Sequence, residues 1–209
     1  AITDKTVTGP PAFVEAVHMV PAALTPADAA AAEALVVDTL AAVGFTHGVS
    51  HTEVMLTPGG PRVVEVNPRQ GGGYIFDLVE LVTGAHPLDV LVDLALGVPP
   101  ALGTSAAPRR GGLPTVASAA IGFVNSPEAG AVGWDDGVER LDADPGVVRW
   151  ELPTPAVAPR PVDNEAYLGH VLVADPAPHG ARRRAEAALA GLRLVMADGR
   201  RLAPLGPAR

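Results

Sequence analysis

Two glutamates, Glu53 and Glu65, flank the turn Pro58-Gly59-Gly60, and Asn67-Pro68-Arg69 follows the second of them. If the loop has three residues, Pro58 to Gly60, then Thr57 faces Pro61, Glu53 lies opposite Glu65 and His51 lies opposite Asn67. The two-residue period of a strand sends those four side chains to one face. Thr52, Val54, Leu56, Val64 and Val66 form the other, which is mostly apolar and suited to burial against helices. Like charges directly opposite one another weaken a sheet unless something neutralises them, and a divalent cation would do so. Oxygen-only donors from Glu53, Glu65 and the amide of Asn67 suit Mg²⁺ or Mn²⁺, hard ions that keep waters and share substrate phosphates. The alternative is a pair of solvated glutamates on an exposed hairpin; the adjoining Asn-Pro-Arg and Gly71-Gly72-Gly73 favour the metal site.

Other candidates are weighed in the same way. Arg69 can bind a phosphoryl group or a carboxylate through two parallel N–H donors, against the alternative of an ordinary surface arginine. Gly71, Gly72 and Gly73 can bare several backbone N–H groups as an anion nest just before a helix start, or simply form a flexible turn. His47 and His51 have the spacing of a helical zinc pair, but Gly48 and the strand pattern around them argue against a helix, leaving His51 at the edge of the carboxylate face and His47 in a loop. Arg182-Arg183-Arg184 reads as the solvated face of a helix in an acidic chain.

The elements that position these residues follow from punctuation and periodicity. Thr25 as N-cap, Pro26 at the first helical position and Asp28 able to cap back predict a helix to Val43, ended by Gly44. Val49 to Thr57 and Arg62 to Asn67 predict a β-hairpin. Ile75 to Val82 and Pro87 to Leu96 predict short helices stopped by Gly84 and Gly97. Residues 98–114 are rich in Pro, Gly, Ser and Ala, the character of a linker, so a domain boundary is expected there, dividing the chain into 1–100 and 101–209. Beyond it, strands are expected at Thr115 to Val124, Gly146 to Glu151, Leu168 to Ala174 and Leu192 to Ala197, with a helix over Ala177 to Ala190. The fold class expected is α+β, with no repeat at a fixed period.

Composition narrows the partners. The chain has 209 residues, 48% of them hydrophobic, enough for a real core. Its net charge of -8 disfavours nucleic acid, whose binding needs clustered Lys and Arg. Without cysteine there is no disulfide frame, thiolate zinc site or thiol nucleophile. No apolar run is long enough to span a membrane and Ala1 to Lys5 lacks the layout of a signal peptide, so a cytoplasmic protein without a membrane partner is expected.

Ser50-His51-Thr52-Glu53-Val54-Met55-Leu56-Thr57, followed by Val63-Val64-Glu65-Val66-Asn67-Pro68-Arg69, resembles the ATP-grasp superfamily, whose pattern is a Glu on one strand, a turn, then Glu-x-Asn-Pro-Arg on the next. The resemblance implies that Glu53, Glu65 and Asn67 hold the Mg²⁺ ions that bridge ATP phosphates, that Arg69 stabilises an acyl-phosphate or its transition state, and that Met55 packs on adenine. Thr3-Asp4-Lys5 and Pro11 to Ala22 are similar to the strand and loop preceding this helix in amino-acid-ligase-type members, which would put Glu15 and His18 at the border of the substrate site. The match covers residues 1–100; from Thr115 onward the chain is similar, more weakly, to the small lid-like C-terminal domain of such enzymes.

What the resemblance implies is an ATP-dependent ligase that phosphorylates a carboxylate and joins it to an amine, with small-molecule substrates such as amino acids. The alternatives are a biotin carboxylase-like enzyme or a non-catalytic metal-binding or dimerising module. Biotin carboxylase-like members carry Gln-Val-Glu-His shortly after the arginine, whereas this chain has Gln70-Gly71-Gly72-Gly73-Tyr74, favouring the amino-acid ligase. The N-terminal substrate domain, the lysine-bearing strands that clamp ATP and the glycine-rich flap are not found in the sequence. A fragment, inactive alone and completed by the front half of the same enzyme, is therefore expected, and an exposed sheet left by truncation would invite a homodimer.

Overall fold

The computed structural model describes residues 1–100, 116–154 and 157–208. Along the chain run β1 (Asp4–Val7), β2 (Glu15–Val20), α1 (Pro26–Ala42), β3 (His51–Thr57), β4 (Gly60–Asn67), α2 (Ile75–Thr83) and α3 (Pro87–Ala95), then β5 (Ser118–Phe123), β6 (Ala131–Trp134), α4 (Glu139–Ala143), β7 (Val147–Glu151), β8 (His170–Asp175), α5 (Gly180–Gly191), β9 (Leu194–Met196) and β10 (Arg201–Leu202). They form two compact units, one of Ala1–Ile2 with Ala22–Thr115, the other of Thr3–Pro21 with Val116–Arg209.

In the first unit, local signals set the helix ends. Thr25 Oγ1 accepts from the Asp28 N–H at 3.1 Å and donates to Asp28 Oδ2 at 2.7 Å, so cap and first turn close on each other. At the other end the Phe45 N–H reaches Leu40 O at 2.9 Å and the Gly44 N–H reaches Ala41 O at 3.1 Å, the paired bonds of a Schellman stop. α1 lies against the β3–β4 hairpin. Leu40 near its C-terminus, with Val43 and Phe45 just beyond, lines a shallow apolar hollow with Ser50, Val66 and Pro68. α2 and α3 begin and end within a residue of the expected positions, and α3 starts with His86 Nδ1 accepting from the Leu88 N–H at 3.2 Å.

The second unit is built on an antiparallel sheet in the order β1-β2-β5-β8-β7, with a smaller sheet β10-β9-β6. β2 pairs with β5 from Val17↔Gly122 to Val20↔Ala119, which carries β1 and β2 into the second unit although they precede the linker expected at 98–114. Helix α5 covers this sheet with Ala181, Ala185 and Leu189, spaced to share one face, over a core including Val17, Met19, Val171 and Val173. The contact is tight: a Cβ on Gly122 would stand 2.9 Å from Leu189 Cδ1.

The strand β6, helix α4 and strand β10 are absent from the sequence expectation, being too short to show a period; β6 and β10 exist by pairing with β9. Helix α5 starts later than expected, at Gly180, because Asp175 Oδ1 accepts from the Ala177 N–H at 2.8 Å and holds 176–178 in a turn. Ser118 Oγ then accepts from the Ala181 N–H at 3.1 Å, capping the helix from a neighbouring strand. The linker expected at 98–114 falls largely outside the described residues.

Candidate functional site

The hairpin reaches the expected register by another route. Thr57 pairs with Gly60, so the loop has two residues, Pro58 and Gly59, instead of three, and an irregularity between Glu53 and Val54 leaves Val64 without a partner. One extra residue in β4 offsets the shorter loop, and Glu53 again faces Glu65 while His51 faces Asn67. The turn is fixed by Thr57 Oγ1, which donates to Gly60 O at 2.7 Å and accepts from the Gly59 N–H at 3.2 Å, with Gly60 at φ +96°. The bulge also corrects the apolar face: Val64, counted on it, is 59% exposed, and Leu56 and Val63 are exposed too, leaving Thr52, Val54 and Val66 half-buried.

On the carboxylate face, Asn67 Nδ2 donates to Glu65 Oε1 and His51 Nε2 lies 3.5 Å from Glu53 Oε1. Gly71 belongs to the same group for a steric reason, since a Cβ there would meet His51 Nδ1 at 3.0 Å and Ile75 Cδ1 at 3.1 Å. Gly73 takes φ +55° and Tyr74 φ +60° to turn the chain into α2, whereas Gly72 is exposed with nothing within 4 Å of an added Cβ. Met55 is 60% exposed, opposite Arg62 and two residues along from Glu53. Arg69 is exposed just beyond β4, and its Nη1 donates to Gln70 O at 2.9 Å.

Glu15 and His18 belong to the second unit. In an unbroken strand residues three apart face opposite ways, yet His18 Nε2 is 3.3 Å from Glu15 Oε2. The cause is a bulge: Thr6 pairs with Val17 and Val7 with Glu15, so Ala16 is the extra residue and the alternation resets across it. Lys5, paired with His18, brings Nζ within 3.3 Å of Glu15 Oε1. Burial by itself pushes the Glu15 carboxyl up, but the hydrogen bond and charge of His18, with those of Lys5, outweigh it and hold the pKa below the ordinary value. His18 is buried, edge-on to Phe123 with ring centroids 5.1 Å apart.

Residues 1–77 match the ATP-grasp domain family, and residues 122–197 match the L-amino acid ligase C-terminal domain 2. The carboxylate hairpin thus lies within the ATP-grasp match. Carnosine synthase 1 of Homo sapiens is 32% identical over 186 residues, 88% of this chain and 21% of that protein. Among solved structures, an L-amino acid ligase from Bacillus licheniformis superposes with a TM-score of 0.71 at 23% identity, over 93% of this chain and 51% of that one. The biotin carboxylase domain of a single-chain bacterial carboxylase superposes with a TM-score of 0.57, also at 23% identity, over 93% of this chain and 44% of that one. At such identities the structural likeness speaks to the fold, an α+β arrangement shared across ATP-grasp ligases. The chain thus spans about half the length of the ligase and about a fifth of the human relative.

For an ATP-grasp chain the question is whether the residues present suit a divalent cation. Among the described residues no group of three or more His, Cys, Asp or Glu side chains gathers as a metal site. The hairpin supplies two carboxylates on directly opposite residues and one amide oxygen, which is too little for a closed cage. It does suit a hard ion that retains water and shares phosphate oxygens. The fit is one of donor chemistry. Sequence reasoning missed the pairing of Lys5 with Glu15, and also Asn125 and Asn164, whose side chains grip the Glu15 backbone; all depend on the Ala16 bulge or on distant chain, and no local pattern signals them.

Proposed function

We propose that this chain is the C-terminal part of an ATP-dependent ligase that joins a carboxylate, such as that of an amino acid, to an amine. In that reaction the γ-phosphoryl of ATP moves to the carboxylate oxygen, ADP leaves, and the amine nitrogen attacks the acyl-phosphate carbon, releasing phosphate. The observation that carries the reading is the pairing of Glu53 opposite Glu65, beside Asn67, on one face of a hairpin in an ATP-grasp chain. Glu53, Glu65 and Asn67 would hold Mg²⁺ or Mn²⁺, which when bound neutralises phosphate charge.

The remaining roles belong to the chain's own side chains. Arg69 binds a phosphoryl or carboxylate group in bidentate fashion. Met55, exposed and polarizable, offers a surface for the adenine ring. His51, wedged between Gly71 and Glu53, orients the first carboxylate. The backbone of Gly71 to Gly73 offers N–H donors to a substrate anion. Glu15, kept ionised by His18 and Lys5, accepts a hydrogen bond from the ammonium group of an amino-acid substrate, with His18 fixing its carboxylate. The match of residues 122–197 to an L-amino acid ligase domain, with Gln70-Gly71-Gly72-Gly73 after Arg69, supports amino-acid ligation over biotin carboxylation.

The test is phosphate release from ATP and Mg²⁺ with a panel of standard amino acids, using this chain and the full-length protein, with product masses recorded. Amino-acid-dependent release by the full-length protein, lost in E65Q, is the expected result. Release that needs bicarbonate and no amine would replace the ligase with a carboxylase. No nucleotide turnover with any acid and amine would reduce the chain to a binding module.

A further inference from the structure

The ladder between β2 and β5 stops at Val17↔Gly122, two residues short of Glu15. Side chains continue it. Asn125 Nδ2 donates to the Glu15 carbonyl at 2.9 Å, and the Glu15 N–H donates to Asn164 Oδ1 at 2.8 Å. Asn125 is buried and lies two residues beyond β5, whereas Asn164 is exposed and stands 149 residues from Glu15 along the chain.

The segment carrying Asn164 also bears on the other member of the pair. Tyr167 lies against Phe123, ring centroids 5.2 Å apart, and Phe123 meets the His18 ring edge-on. Residues 161–167 thus touch the Glu15 backbone directly and the His18 ring through one intermediate. Glu15 adjoins the Ala16 bulge and pairs with Val7 of β1 but with no residue of β5, so on its β5 side the strand ladder is missing. A carboxylate aimed from such a position is only as well placed as the groups that pin its backbone.

We propose that Asn164 is a positioning residue: its side-chain oxygen ends the sheet ladder at Glu15, and the 161–167 segment thereby sets where that carboxylate meets the ammonium group of an amino-acid substrate. The inference rests on the assignment of Glu15 to substrate made above. Asn164 itself touches no reacting atom. Because it is exposed and its bond is a single one, its replacement leaves the core intact.

The experiment compares full-length wild type, N164A, N164D and E15Q, measuring KM for the amino acid found active in the phosphate-release screen, KM for ATP, kcat, and hydrogen exchange at the Glu15 amide. N164D keeps an acceptor oxygen and N164A removes it. N164A is expected to raise the amino-acid KM about tenfold, with kcat and the ATP KM moving less than about twofold, and to speed exchange at the Glu15 amide. N164D is expected to restore both. If E15Q raises the amino-acid KM and N164A does not, or if N164D fails to rescue, the positioning role is overturned while Glu15 keeps its assignment. If E15Q leaves that KM unchanged, the assignment of Glu15 falls and the inference with it. A merely structural role for Asn164 would shift both KM values together, and that result also overturns the proposal.

Discussion

The β3–β4 hairpin and the β1–β2 ribbon both use a single extra residue to aim carboxylates, and they leave those carboxylates in opposite electrostatic states. In the hairpin, the Val64 bulge sets Glu53 facing Glu65, two like charges with His51 beside the first and the Asn67 amide beside the second. In the ribbon, the Ala16 bulge brings Glu15 to His18 and Lys5, so one carboxylate has a lysine and a histidine as partners. The first sets two carboxylates side by side, a pair that a metal ion would neutralise; the second sets one carboxylate against a lysine and a histidine and is suited to hold a fixed acceptor. Carboxylates that look alike in sequence therefore differ in what they ask of a ligand.

The largest test of this contrast is E65Q. It is expected to cut amino-acid-dependent phosphate release by at least about 100-fold, because a metal donor is lost. Its melting temperature should hold or rise, since relieving like charges across a strand pair is worth ~0.2–1 kcal/mol. A clear fall in melting temperature would mean that the pair is not repulsive, and the contrast would go.

G122V comes next. The added carbons meet Leu189, overpacking α5 on its sheet at a cost of about 1–3 kcal/mol, read by urea denaturation. Because that sheet includes β2 and not the hairpin, Mg²⁺ affinity measured by calorimetry should stay unchanged in the folded protein. E15Q then reverses the sign seen in E65Q. Loss of the partly exposed pair with Lys5 should destabilise by ~0.2–1 kcal/mol, a figure already discounted for solvent screening, and loss of the contact with buried His18 acts in the same direction.

The smallest effect is on pH dependence. The folded pKa of Glu15 is depressed, so its contribution is fully present above the ordinary value of 4.5 and lost as pH falls from there through the folded value. Denaturation midpoints of wild type and E15Q should differ at neutral pH and converge in acid. A gap that widens on acidification would reverse the sign and refute the pairing.

Much of the first unit could be read from sequence because its signals are local. Thr25, Pro26 and Asp28 act within one turn, Gly84 and Gly97 stop helices by their own backbone, and the pairing of Glu53 with Glu65 follows from a short loop. Even there the loop is one residue shorter than Pro58-Gly59-Gly60 suggests, and Glu53 still faces Glu65 because Val64 is bulged out. The second unit is less legible in the sequence. β6 and β10 have no period of their own and are strands through β9; β1 and β2 lie far in sequence from β5, whose pairing draws them across the expected boundary.

The sequence by itself determined the residue types able to hold a cation, the helix caps and the spacing that lets two carboxylates face each other. These are settled by bonds between residues a few positions apart. Only the tertiary structure decided that Ala16 resets the face of Glu15, that Lys5 and His18 share its charge, and that Asn125 and Asn164 finish its ladder. Those contacts close loops of up to 149 residues, and their geometry depends on how whole sheets pair, which no short window of the chain encodes.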